Sequence, residues 1–385
     1  MIWRRKRENT LILRNVSFDE FKKEIDNKKI IQFGASSAWD YYLTCFSDIQ
    51  QSVLDNTIVI IDNSEKKQGT TFEVEGRYID VEAPETIKKY IEVNEVAILI
   101  VVSLAYQEEI INQLEKMNLS DDVKCYSLPL MIYSDSKVAD NTCVDTYFAT
   151  RTEPIIPTTI HSFWFSGEEK PDLYKRCIES WYKFCPGFEI KEWNANNYDI
   201  NKNQYMKEAF ENRKWAFVSD YARLDVINRY GGIYMDMDVE LVASIDQLLC
   251  ADSFFCRQED GFLEFGSGFG ASVGNEFIRA MLDTYSNRKL IGEDGSIDMT
   301  PQPQWLKSVA EKYGYTKCFD SMIVRDSVVL SNDYIVSGAS EEDRMNAKLG
   351  IHWHNGGWLD EKNRQLIKKS LEVRKLLVEK YFVQK

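Results

Sequence analysis

The stretch from Trp215 to Val239, WAFVSDYARLDVINRYGGIYMDMDV, constrains the fold more than any other part of the chain. Phe217, Tyr221, Leu224 and Ile227 recur at steps of three and four, which predicts a helix from Ala216 to Tyr230. Gly231-Gly232 then stops it, since glycine commonly follows the last helical turn. The next segment alternates. Ile233, Met235, Met237 and Val239 point to one side and Tyr234, Asp236 and Asp238 to the other, which predicts one strand with an apolar face. Two carboxylates on one strand face repel, and a divalent cation is the natural compensation. On the helix, Ser219, Asp220 and Arg223 share a face. Paired aspartates are common on solvated surfaces. The apolar setting argues for more here, because a carboxylate withdrawn from water needs a partner.

A chain of 385 residues has the length for two or three domains. It is 44% hydrophobic and 28% charged, a globular composition. The net charge of -14 argues against a nucleic-acid partner, whose footprint would be basic. The eight cysteines form no C-x-x-C pair and fit no zinc spacing, so reduced thiols in a cytoplasmic protein are expected. No apolar run approaches the ~18–20 residues of a membrane span, and LILRNV is too short for a signal-peptide core. The expected location is therefore the cytoplasm. Trp3, Arg4, Arg5, Lys6 and Arg7 offer a peripheral contact with anionic lipid at the inner membrane face.

Residues 1–135 alternate buried-strand and helix patterns: KKIIQF, TIVIID, RYIDV, VAILIVVS and VKCYSL, with AYQEEIINQLEKM between the last two. That order implies a Rossmann-like parallel sheet. Its first turn, G-A-S-S-A-W, keeps only Gly34 of a dinucleotide fingerprint, although Asp62 stands where a ribose-binding acid would. A structural, docking or regulatory role is expected. Residues 136–153 are polar and read as a linker. Pro154 and Pro157 then force extended chain into a second domain, 154–385, which is taken to include the C-terminal amphipathic helix.

That domain carries further motifs. TTIHSFWFSG reads as a strand with His161 and Trp164 on opposite sides. His161 is expected to be a satisfied core histidine. FLEFGSGFGAS is glycine-rich, which permits close backbone approach to a ligand but is unspecific. GIHWHNGGWLD, residues 350–360, holds two of the three histidines.

S-D-x-x-R followed by G-G-x-Y-x-D-x-D resembles the D-x-D sugar-transferase region of glycosyltransferase family 32 and its relatives: bacterial capsular-polysaccharide transferases, yeast Golgi mannosyltransferases and the large clostridial glucosylating toxins. The resemblance spans about residues 154–360. It implies an α/β chain in which a Rossmann-like domain precedes a GT-A domain, and a retaining transferase using Mn²⁺ or Mg²⁺. The donor is a nucleotide sugar, a UDP-sugar first, and the acceptor a saccharide or glycolipid. On this resemblance Asp238 ligates the metal. Asp236 and Tyr234 hold ribose or sugar hydroxyls, and Asp220 and Arg223 clamp the donor sugar with Ser219 beside them. Trp164 stacks on the base, next to the Phe163 backbone. The family's C-terminal I-H-x-x-x-x-S-W element matches at His352 and Trp358, with Gly357 in place of the serine. It places a metal ligand among His352, His354 and Asn355, and Trp358 as a lid. The competing readings are a metal-dependent phosphoester hydrolase and an inactive nucleotide-sugar-binding protein.

Overall fold

The computed structural model describes residues 12–14, 16–36, 47–74, 76–316, 318–337, 341–354 and 361–381. The chain divides into two compact units, residues 1–137 with 360–385, and residues 138–359.

The first unit holds strands β1 (Ile12–Arg14), β2 (Lys29–Phe33), β3 (Thr57–Ile61), β4 (Thr71–Val74), β5 (Arg77–Glu82), β6 (Val96–Ile100) and β7 (Lys124–Ser127). They form one sheet in the order β1-β7-β6-β2-β3-β5-β4. All neighbours run parallel except β4 against β5. Every residue of β6 is buried, as a parallel strand covered on both faces requires. After β5 the chain returns to the other side of β2, so β2 and β6 flank a topological switch point. Gly34 ends β2 there with φ +112, and a Cβ on it would lie 2.2 Å from Val102 Cγ1 and 2.9 Å from the Val101 carbonyl. Asp62 spends its carboxylate on the same turn. It accepts from the Ala35 and Ser64 amides, each at 2.8 Å, and from Lys67 Nζ at 3.1 Å.

Two expectations about the division differ from the structure. The C-terminal helix, Glu361–Tyr381, clusters with the first unit. Val373 and Leu377 are buried among Ile110, Ile111 and Leu114, and the Tyr381 hydroxyl donates to Glu115 at 2.7 Å. An amphipathic stripe declares that it needs a core but not which one. The expected linker, in turn, contains a helix, Thr142–Phe148, that buries Val144, Tyr147 and Phe148 in the core of the second unit. Those three residues sit at helical spacing inside a polar stretch.

The second unit holds β8 (Thr159–Phe163), β9 (Glu189–Trp193), β10 (Gly232–Tyr234), β11 (Val239–Leu241), β12 (Ser253–Arg257), β13 (Leu263–Ala271), β14 (Met322–Val324), β15 (Ser327–Leu330), β16 (Ile335–Ser337) and β17 (Gly350–His352). A seven-stranded mixed sheet runs β14-β15-β12-β13-β10-β8-β9, and a three-stranded sheet runs β11-β17-β16. The segment read as one strand from Ile233 to Val239 is therefore two. β10 lies in the large sheet and β11 in the small one. The corner between them is a turn, closed by Val239 N–H donating to the Asp236 carbonyl at 3.1 Å, while Asp236 N–H donates to the Gly266 carbonyl at 3.0 Å. The alternation still decides burial. Ile233, Met235, Met237 and Val239 enter one apolar cluster, and Tyr234 enters the other.

Candidate active site

Helix Trp215–Tyr230 is buried on most of its circumference, including Ser219, Asp220, Arg223 and Asp225. It ends at Gly231, φ +63, whose N–H donates to the Ile227 carbonyl at 2.8 Å. Gly232, φ +94, passes so close to β8 that a Cβ would lie 2.7 Å from the Thr159 carbonyl and 3.0 Å from His161 Nε2. Only the double glycine lets the chain leave the helix and enter the sheet between β8 and β13.

His161 is a core histidine. It is 2% exposed, its Nδ1 accepts from the Trp193 indole N–H at 3.1 Å, and its Nε2 lies 3.1 Å from the Gly231 carbonyl. The neutral tautomer protonated on Nε2 satisfies both contacts. Burial pushes its pKa down to about 4, against the pull of that carbonyl.

The corner at Met235–Asp238 places the two aspartates, and the small sheet brings the third group. β11 pairs antiparallel with β17, setting Val239 opposite His352. His352 Nε2 then stands 3.3 Å from Asp238 Oδ1 and 3.8 Å from Asp236 Oδ2. One ligand atom from each of Asp236, Asp238 and His352 lies within 4.8 Å of the others. Carboxylate oxygens with an imidazole nitrogen could chelate a divalent cation, and the nitrogen suits Mn²⁺ better than Mg²⁺. Burial alone would lower the His352 pKa, but Asp238, Glu264 and Asp236 outweigh it and carry it up to about 9. Burial pushes the Asp236 carboxyl up to about 6; Arg223 opposes this and the Asp238 charge adds to it. Without a cation the imidazolium supplies the missing positive charge, so metal binding would release its proton.

Behind the aspartates, Arg223 pairs with Asp220 and donates from Nη1 to the Phe265 carbonyl at 2.8 Å. Its guanidinium lies 5.0 Å from the Tyr234 ring centre. The Tyr234 hydroxyl donates to Asp236 Oδ1, and the residue is 1% exposed, so it orients the aspartate from behind. Ser219 donates to the Ala216 carbonyl of its own helix at 2.7 Å. Of the two aromatic residues at the end of β8, Phe163 lies 5.8 Å from the Tyr234 ring. Trp164 turns to the other side, against Tyr174 at 5.4 Å, with its indole N–H on the Glu168 carbonyl at 2.7 Å. His354 follows β17 with a left-handed φ of +45, and its ring packs tilted against His352 with the ring centres 3.8 Å apart. Asn355, Gly357, Trp358 and the basic residues 3–7 lie outside the described residues.

The structure adds groups to which the motifs gave no role, and it gives Gly266, one of the glycines of the FLEFGSGFGAS run, a definite place. Glu264 is buried on β13, an acid inside an otherwise apolar and glycine-rich run, and that isolation was its signal. Gly266 is the wall of the site. A Cβ there would sit 2.6 Å from Asp236 Oδ2, 2.9 Å from Glu264 Oε1 and 3.3 Å from His352 Cε1. Gln302 donates to the Asp220 carbonyl at 3.0 Å and to the Tyr285 hydroxyl at 2.6 Å. Trp353 N–H donates to the Asp238 carbonyl at 3.0 Å.

Residues 171–255, which contain S-D-x-x-R and D-x-D, match the family model described as "Glycosyltransferase sugar-binding region containing DXD motif". This region is glycosyltransferase-related. An uncharacterized glycosyltransferase of Acanthamoeba polyphaga mimivirus is 29% identical over 107 residues, which make up 26% of this chain. The chain spans 43% of that relative's length. The solved PaToxG glycosyltransferase overlays loosely, with a TM-score of 0.32 and 13% identity over 60% of this chain and 91% of that one. The mixed α/β architecture with its parallel and mixed sheets is consistent with a Rossmann-like GT-A layout. No helix among the described residues is long and apolar enough to cross a membrane.

Proposed function

We propose that this chain is a retaining, metal-dependent glycosyltransferase. It moves a sugar from a nucleotide sugar, a UDP-sugar first, to a saccharide or glycolipid acceptor in bacterial surface polysaccharide or glycoconjugate synthesis. The observation that carries this reading is the meeting of Asp236, Asp238 and His352 within 4.8 Å, with the buried Asp220–Arg223 pair behind them. The chemistry is assigned to the second unit, and a structural or regulatory part to residues 1–135.

Glycosyl transfer leaves a diphosphate that gains negative charge as the anomeric bond breaks. A bound Mn²⁺ or Mg²⁺ would supply positive charge against that leaving group. Asp238 and His352 are the assigned ligands, with Asp236 Oδ2 facing the same point. Tyr234 holds the other Asp236 oxygen, so this carboxylate arrives oriented. Arg223 is a fixed cation whose Nε has no hydrogen-bond partner among the described residues, which leaves a donor for a phosphate or sugar oxygen. Asp220 holds the guanidinium plane. Trp164, with the Phe163 backbone beside it at the end of the strand next to β10, is the assigned platform for the base.

The test is to incubate the protein with UDP-, GDP- and CMP-sugars, with and without Mn²⁺, and follow nucleotide release. The expected result is Mn²⁺-dependent UDP release, lowered about 10²- to 10³-fold in Asp238→Ala, the usual cost of removing a preorganised charge-stabilising group. Release of UMP with sugar phosphate would mean phosphoester hydrolysis instead. No release from any donor, with Asp238→Ala equal to wild type in donor binding, refutes the transferase reading.

A further inference from the structure

We propose that Glu264 is a positioning residue for the cation site, and that its charge holds the His352 ring in the orientation that offers Nε2 to the metal. The proposal rests on the metal-site reading above. Glu264 is 8% exposed, and neutral donors occupy both of its oxygens. The Gly266 N–H donates to Oε1 at 2.6 Å and the Gln258 amide to Oε2 at 2.5 Å. No lysine or arginine pairs with it among the described residues. A buried carboxylate without an ion-pair partner is costly, so a positive charge should lie close by. The space over Gly266 shows where. The same point lies 2.9 Å from Glu264 Oε1, 2.6 Å from Asp236 Oδ2 and 3.3 Å from His352 Cε1.

The histidine supplies an independent observation. His352 is 5% exposed, and its Nδ1 has no hydrogen-bond partner among the described residues. If Nε2 ligates a cation, Nδ1 must carry the proton. Metal-ligating histidines almost always turn that second N–H toward a carboxylate, carbonyl or water, which fixes the ring and raises its basicity. Asp236 and Asp238 face Nε2, on the side of the ring assigned to the metal. Glu264 is the remaining carboxylate beside the ring; Gly266 and Gln258 hold it where it makes no hydrogen bond to Nδ1, so it acts on the ring through its charge.

A purely structural role, tying the Gly266 turn, is the alternative, and a charge swap separates the two. Glu264→Gln removes the charge but keeps an acceptor for the Gly266 N–H. The double variant Glu264→Gln with Gln258→Glu keeps the side-chain hydrogen bond and the net charge, and moves the carboxylate one side chain away from the histidine. Mn²⁺ affinity is measured by electron paramagnetic resonance on the full chain, with thermal melts in chelator as the folding control. The expected result is Mn²⁺ binding about 10- to 100-fold weaker in both variants, the usual effect of removing an outer partner of a ligating histidine, with the melting temperature restored in the double variant. Wild-type affinity in the double variant would overturn the proposal and leave the metal site standing. Failure of the wild-type protein to bind Mn²⁺ would overturn the metal site itself.

Discussion

Gly266→Ala is the sharpest perturbation of this site, because it adds one carbon and changes no charge. Gly266 does not have the left-handed φ that only glycine tolerates well, so the effect is steric. The new Cβ would lie 2.6 Å from Asp236 Oδ2 and 2.9 Å from Glu264 Oε1, against ordinary non-bonded contacts of about 3.5 Å. Something must therefore move by roughly 0.5–1 Å. Glu264 is held at both oxygens, so the Asp236 carboxylate is the group that yields. Metal–ligand distances tolerate only about 0.2 Å, so a shift of that size would take Asp236 Oδ2 out of reach of a cation held at this point. Overpacking by one methyl group costs about 1–3 kcal/mol, which in a unit of this size lowers the melting temperature by about 2–12 °C. The assay is a pair of measurements on the purified variant: a thermal melt in chelator, and Mn²⁺ titration by electron paramagnetic resonance. Gly270→Ala, on the same strand, is the control. Its Cβ would meet Phe254 Cε1 at 2.5 Å and points at no ligand, so it should lower the melting temperature with much less effect on Mn²⁺. If Gly266→Ala binds Mn²⁺ within twofold of wild type, the geometry argued for the site is refuted.

Two further outcomes concern stability. His161 stays neutral in the fold down to pH about 4, whereas in the unfolded chain it takes up a proton near pH 6.5. The unfolded state therefore binds more protons between those values, and stability falls as pH drops through that window, by about 2–3 kcal/mol. Urea titrations at pH 7 and 4.5 should show His161→Gln losing less stability than wild type over this interval, and identical losses would contradict the assignment. Arg223→Ala strands the buried Asp220 carboxylate without its counter-charge. It should cost about 3–5 kcal/mol in urea unfolding, and a cost below about 1 kcal/mol would place the pair in water.

Much of the site was legible in local patterns. The 3.6-residue period placed Ser219, Asp220 and Arg223 on a helix, and the double glycine marked its end. The two-residue period sorted Ile233, Met235, Met237 and Val239 from Tyr234 into opposite apolar clusters. These signals survive because each depends on a few neighbouring residues and on which side of an element meets a core. The same alternation could not reveal that the chain turns at Asp236–Asp238 and changes sheets, since a corner between two short strands keeps the pattern of one long strand. Nor could it say where an apolar stripe docks. Val373 and Leu377 read the same in sequence whichever core they enter, and they enter the first.

Chemistry in a stretch of sequence and chemistry in a site are therefore different things here. The D-x-D pair and the distant histidine were each visible as ligand types, but their meeting was not. That meeting depends on the register of β11 against β17, which sets Val239 opposite His352, and on a glycine at 266 that leaves room for Asp236, Glu264 and His352 around one point. Strand register between segments far apart in the chain is decided by packing on both faces at once. No local period carries that information, and it exists only when the chain has folded.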